Sequence, residues 1–222
     1  MGNYRLIEYD TSQYPFADVL GEDVFHVEDL SRLHEAVAYK KQAAGADGGL
    51  ASGDNMAERQ LLSDLKDEAR FYTLYHAFVK GVISPHFGNK LTYSTHPRFR
   101  VHMPNTPSVS AWHRDVDVTG RFDQINAWVP FVDSFDTVTV WVESDYGKQD
   151  FAPIPVKYGQ VLLFDGGCLW HGSVANETSV TRVSMDLRFA PMRTDLDNPD
   201  LGILAGRSAN ITRLTVKEGA YT

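Results

Sequence analysis

The chain has 222 residues, 43% of them hydrophobic and 23% charged, enough for the core of one compact domain and too few for two large ones. With 21 Lys and Arg against 29 Asp and Glu the formal charge is −8, which disfavours nucleic acid as a partner, and no apolar run approaches the roughly 20 residues of a membrane span. The single cysteine, Cys168, excludes an internal disulfide and any zinc site of paired cysteines, so His and carboxylates must hold whatever metal is bound.

The first 85 or so residues are predicted to be mainly helical. Leu30, Leu33, Val37 and Tyr39 recur at roughly helical spacing within 27–44, with Asp29 and Ser31 near a plausible start. Ala43 to Asp54, rich in Gly, Ala and Ser, reads as a loop between two helices, either a lid or a disordered connection. Leu61, Leu62, Leu65, Ala69, Phe71, Leu74, Phe78 and Val79 then predict one long amphipathic helix over 56–82.

From about Leu91 the pattern becomes short β-branched and aromatic runs separated by Pro, Gly, Asn and Asp. The runs are 91–95, 99–103, 124–131, 137–143, 161–165, 170–175 and 181–189. Seven or eight such strands suggest a sandwich or barrel. Beyond Pro191 the only patterned stretch is 211–216. The four tryptophans read mostly as core, with one a candidate to line the substrate pocket, and Cys168 as a small packed residue.

Two histidine segments carry chemistry: His113-Arg114-Asp115 and Trp170-His171-Gly172. On a strand, residues two apart share a face, so His113 and Asp115 could reach one metal ion, with His171 as third ligand. Two His and one carboxylate on one face of an octahedron suit non-haem Fe(II). The triplet alone is weak, since a shuffle of 8 His and 20 Asp yields about 0.7 His-x-Asp by chance. The spacing adds weight: His171 follows in the strand-rich half, and Arg182-Val183-Ser184 comes after it.

If residues 175–179 close an antiparallel hairpin, His171 lies opposite Val183. Arg182 and Ser184 then flank it at diagonal distances of ~7 to 8 Å, close enough for Arg182 to clamp the far carboxylate of a bidentate metal ligand. Arg188 falls on the same strand face and is the runner-up. Gln124, Asn126 and Trp128 alternate on another strand. Arg98, Arg100 and His102 also alternate, and their face is expected to point mainly to solvent. Asp117 competes with Asp115 as ligand.

At these residues the chain resembles the 2-oxoglutarate and Fe(II)-dependent oxygenases, whose pattern is His-x-Asp, a distal His and a later Arg. Tyr158 to Gly166, Leu169 to Gly172 and Thr181 to Arg188, with Phe99 to Pro104 and Asn126 to Asp133, are similar to the branch found in aminoglycoside-antibiotic and carbohydrate gene clusters. The resemblance implies a double-stranded β-helix, a cupin-like jelly roll, over 91–190, braced by helices over 1–90, with 191–222 as a tail of the same domain. It implies that His113, Asp115 and His171 bind Fe(II), that Arg182 and Ser184 hold 2-oxoglutarate, that an amide such as Asn126 touches this cosubstrate, and that O2 completes the reaction. Related halogenating enzymes have a small residue in place of Asp115, so hydroxylation is the implied outcome. The expected partner is a small polar substrate such as an amino sugar, aminocyclitol or amino-acid derivative, in the cytoplasm and away from membranes. The net charge is compatible with a cationic one. Two readings stay open beside it: a cupin-type metal enzyme without 2-oxoglutarate, and a sugar-binding jelly roll.

Overall fold

The computed structural model describes residues 3–191, so the patterned stretch at 211–216 lies outside the described residues. Strand β1 (Tyr4–Glu8) comes first, followed by helices α1 (Phe16–Leu20), α2 (Leu33–Ala43), α3 (Ser52–Ser63) and α4 (Arg70–Phe78). Next are β2 (Leu91–Tyr93), β3 (Arg98–His102), the short helix α5 (Asp115–Thr119) and β4 (Ile125–Pro130). Strands β5 (Val140–Val142), β6 (Ala152–Ile154), β7 (Gln160–Phe164), β8 (His171–Gly172) and β9 (Arg182–Pro191) complete the order.

All strand pairs are antiparallel. The larger sheet runs β1-β7-β4-β9-β2, with β3 also pairing with β9, and the smaller runs β6-β5-β8. The two sheets with N-terminal helices form the expected jelly roll. Period-2 alternation divides the molecule into two cores. On the helix side of the large sheet, Phe99, Val101, Ile125, Ala127, Val129, Phe131, Val161, Leu163, Val183, Met185, Leu187 and Phe189 join the buried residues of the helices. Aromatic rings supply the grip: Phe16 lies 5.4 Å from Phe131, and Phe71 lies 5.1 Å from Phe99, centroid to centroid. Between the sheets, Trp128, Leu162 and Phe164 meet Val140, Val142 and Ile154.

Several expectations are corrected. The long helix over 56–82 is two helices, the chain leaving helical geometry in the charged stretch between Ser63 and Arg70. The N-terminal part adds one unforeseen strand to its helices, β1, which pairs with β7 from Tyr4↔Phe164 to Glu8↔Gln160. β6 escapes the pattern because its Pro153 weakens a three-residue strand signal, and such a residue is tolerated at this sheet edge. The loop expected over 43–54 is shorter, since α3 already begins at Ser52; Lys41 Nζ pairs with Asp54 at 2.9 Å and also bonds the Gly49 carbonyl.

The predicted hairpin between β8 and β9 does not form. His171 pairs with Val142 in the small sheet, whereas Val183 pairs with Val101 in the large one. Asn176 explains the crossing. Its backbone exchanges hydrogen bonds with Asn105 and Thr106, and its side chain donates to the His102 carbonyl at 3.1 Å, so the connection follows the turn after β3 from one sheet to the other.

Candidate metal centre

His113 and His171 form an isolated antiparallel bridge, each amide donating to the other's carbonyl at 3.0 Å. Their rings lie side by side, 4.3 Å between centroids. Each Nδ1 donates to the carbonyl two residues earlier, His113 to Ala111 at 2.8 Å and His171 to Leu169 at 3.0 Å. Both rings therefore keep Nε2 as a free lone pair, the tautomer a metal requires.

Asp115 reaches the same point by another route than expected. It opens α5 and does not continue a strand, because its N–H and that of Val116 bond the Gly166 and Gly167 carbonyls at 2.9 and 3.1 Å. Ligand atoms of His113, Asp115 and His171 lie within 4.8 Å of one another. Asp117 is turned outward and paired with Arg114 at 2.7 Å.

The Asp115 carboxylate is steadied on both oxygens. Arg188 donates to Oδ1 at 2.5 Å and Asn126 Nδ2 to Oδ2 at 2.7 Å. Burial opposes its ionisation, but His113, His171, Arg188 and Asn126 prevail and hold it below the usual carboxylate range. Burial pushes His171 down to about 4, so it is neutral at pH 7 and ready to ligate. The Asp115 carboxylate, 3.4 Å from His113 Nε2, favours the protonated ring and raises the His113 pKa.

Arg188, read from sequence as a possible clamp, is thus committed to Asp115. Asn126 also donates to Asp186 at 3.0 Å. Its space depends on Gly166, where a Cβ would stand 2.5 Å from the Asn126 side chain. Asp186 was not singled out from sequence, although it occupies the same face of β9 as Arg182, Ser184 and Arg188. Burial and the Asp115 charge raise its pKa.

One cavity is lined by His113, His171, Arg182, Trp128, Asp186 and Arg100. Arg182 is 2% exposed and projects from the start of β9. Its Nη1 donates to the Val138 and Thr139 carbonyls at 3.0 and 3.1 Å, and its guanidinium lies 5.6 Å from the Trp128 ring centroid. No acid pairs with it among the described residues, and burial together with Arg100 pushes it down to about 9, still protonated at neutral pH. Its Nε and the neighbouring Ser184 Oγ are buried without a protein partner. A buried cation with unused donors is costly alone and well suited to a carboxylate.

The face holding Arg100 and His102 was expected to be solvated. Arg98 is exposed, but Arg100 lines the cavity and His102 is fully buried, because the strand's other face already packs on helices while this one looks between the sheets. The tryptophan expectation also needs correction. Trp128 is core, whereas Trp112 is 38% exposed and stacks on Phe151. Cys168 is buried, as expected.

The chain is 31% identical over 202 residues to the streptomycin biosynthesis protein StrG of Streptomyces griseus, an alignment covering 86% of each. It belongs to the StrG family. No protein-family model matches the StrG-like chain. Among solved structures it is similar to a non-heme monooxygenase, the ThoJ–Ni complex, at 11% identity and a TM-score of 0.52, covering 100% of this chain and 97% of that one. It is also similar to CytC3 with Fe(II) and alpha-ketoglutarate, at 13% identity and a TM-score of 0.51, covering 86% and 73%. These likenesses establish the fold. On that fold His113, Asp115 and His171 form a cluster that could hold a metal ion. Among the described residues no helix is long and apolar enough to cross a membrane.

Proposed function

We propose that the chain hydroxylates a C–H bond of a small polar metabolite, an amino sugar, aminocyclitol or amino-acid derivative, in the cytoplasm, releasing succinate and CO2. The substrate class is supported by the relationship to StrG, a streptomycin biosynthesis protein. His113 Nε2, His171 Nε2 and one Asp115 oxygen would hold the iron, and Arg182 with Ser184 would take the distal carboxylate of 2-oxoglutarate. Bound iron supplies oxygen activation, driven by oxidative decarboxylation of the cosubstrate.

The remaining work belongs to this chain. Backbone carbonyls fix both imidazoles, while Asn126 and Arg188 keep Asp115 ionised and oriented. Trp128 and Phe164 give the chamber apolar walls that limit water near the reacting C–H bond. The observation that carries the reading is Arg182, a buried cation without an acid partner in the same cavity as the triad.

The test is anaerobic titration of the apoprotein with Fe(II) and 2-oxoglutarate, following the weak visible charge-transfer band. Arg182→Ala is expected to need ~10 to 100-fold more cosubstrate for the band, as loss of a charge-assisted hydrogen bond implies. Asp115→Ala is expected to reduce succinate formation to background. Unchanged cosubstrate affinity in Arg182→Ala would remove the clamp, and iron binding without a band would point to a cupin-type enzyme without 2-oxoglutarate.

A further inference from the structure

Beside the metal chamber lies a second cavity of about 300 Å3, between α3 and the segment after β3, lined by Ser52, Asn55, Arg59, Arg100, Ser108 and Ser110 among others. Arg100 and Ser110 line the metal chamber too, so the two spaces meet at these side chains. The second cavity is lined by two guanidiniums, of which Arg100 also faces the metal chamber. Arg59 is exposed and its side chain makes no hydrogen bond or ion pair with any described residue. Arg100 is half-buried, and its one hydrogen bond runs from Nη1 to the carbonyl of Phe99 at 3.0 Å.

Two of the neighbouring acids have side-chain partners of their own. Asp54 is held by Lys41 at 2.9 Å, and Asp186 takes the Asn126 amide. Glu58, half-buried on α3, keeps Oε2 without a hydrogen-bond partner, and burial raises its pKa. Burial lowers the Arg100 pKa; Asp186 counteracts this, and Arg59 adds to it by repulsion, which places the two arginines within electrostatic reach. Two like charges lining one cavity repel one another, with Asp186 acting on Arg100, and an anion between the two guanidiniums relieves both.

The number of donors sets the class of anion. One guanidinium fork satisfies a carboxylate. Here two forks come from different elements, with the Ser52 and Ser110 hydroxyls on the same cavity, an excess that fits a tetrahedral dianion with three free oxygens. The chain's net charge of −8 favours cations at long range, but this cavity has the opposite local sign.

We propose that this cavity anchors the substrate through a phosphate monoester gripped by Arg59 and Arg100, with the carbon skeleton passing Ser110 toward His113, Asp115 and His171. The assignment of the ligand as substrate rests on the oxygenase reading above; the anion subsite itself is testable without metal. Calorimetric titration of the metal-free protein with methyl phosphate is expected to give a dissociation constant on the order of 1 mM. Arg59→Gln and Arg100→Gln are each expected to weaken it at least about tenfold, while Arg182→Gln changes it by less than about twofold. Arg59 is exposed, so its variant preserves the test should Arg100→Gln fail to fold.

Three results overturn the proposal: no saturation below about 50 mM methyl phosphate, acetate binding as tightly as methyl phosphate, or loss of binding through Arg182→Gln alone. The Fe(II) and 2-oxoglutarate band, measured on parent and Arg59→Gln, separates the two readings. A band without methyl phosphate binding sinks the subsite alone. Arg59-dependent methyl phosphate binding without a band keeps the anion site and removes its assignment as the anchor of an oxygenase substrate.

Discussion

Strand β9 has two faces that obey different rules. Val183, Met185, Leu187 and Phe189 point to the helices, each no more than 1% exposed, in a core of aliphatic and aromatic side chains. Arg182, Ser184, Asp186 and Arg188 point between the sheets, where Arg182 Nε, Ser184 Oγ and Arg188 Nε are buried without protein partners. One strand thus serves the packed core with its odd residues and the polar space between the sheets with its even ones. The helix-side face gains from burial alone, and the other accepts desolvated charge in exchange for binding capacity.

The contrast is open to direct attack. Phe189→Ala should cost about 3–5 kcal/mol of stability, as for other large buried aromatics, seen as a lower denaturation midpoint. The folded fraction should keep its 2-oxoglutarate affinity; a loss there would mean that the two faces are coupled. Arg182→Met should act in the reverse sense. It should lose ~10 to 100-fold in cosubstrate affinity yet leave the metal-free protein as stable as the parent or more so by about 1 kcal/mol, because a buried charge without an acid is replaced by an apolar side chain. A destabilised Arg182→Met would show that its bonds to Val138 and Thr139 outweigh the burial of its charge.

Gly166→Ala sharpens the comparison on the site side. The added Cβ must displace Asn126, so iron affinity should fall by about tenfold, the usual loss when a ligand's supporting hydrogen bond is removed. Unaltered iron binding would mean that Arg188 alone orients Asp115. The smallest effect concerns pH. His102 is held down to about 3, chiefly by burial and then by the Arg182 charge, against an ordinary value of 6.5. It stays neutral when folded and takes up a proton when unfolded, so its contribution is full above pH 6.5 and drains as pH falls toward 3. Denaturant midpoints across that window should fall less steeply in His102→Asn than in the parent.

Much of this division is legible in the chain because alternation is local. The apolar positions of β3, β4, β7 and β9 can be read by eye, as can His113, Asp115 and His171 from residue type and spacing. Strand pairing is not local. A short gap between His171 and Arg182 looks like a hairpin unless one knows that Asn176 is bonded to the turn after β3. Arg182 nevertheless lines the same cavity as His171, entering it from the opposite sheet and not from a neighbouring strand. Arg100 was misplaced because a polar face normally means solvent, an inference that fails when a second sheet covers it. Asp186 carried a usable signal, the same two-residue period as Arg182 and Arg188.

The twin histidines share one construction: each backbone answers the other, and each ring leans on the carbonyl two residues behind it. Those contacts use main-chain oxygens, so substituting a neighbouring side chain does not remove them. The ligand frame is in that respect insulated from its surroundings. The cavity walls can be rebuilt for a new molecule while the two imidazoles keep their aim, which makes this centre a robust starting point for changing what the enzyme accepts without changing what it does.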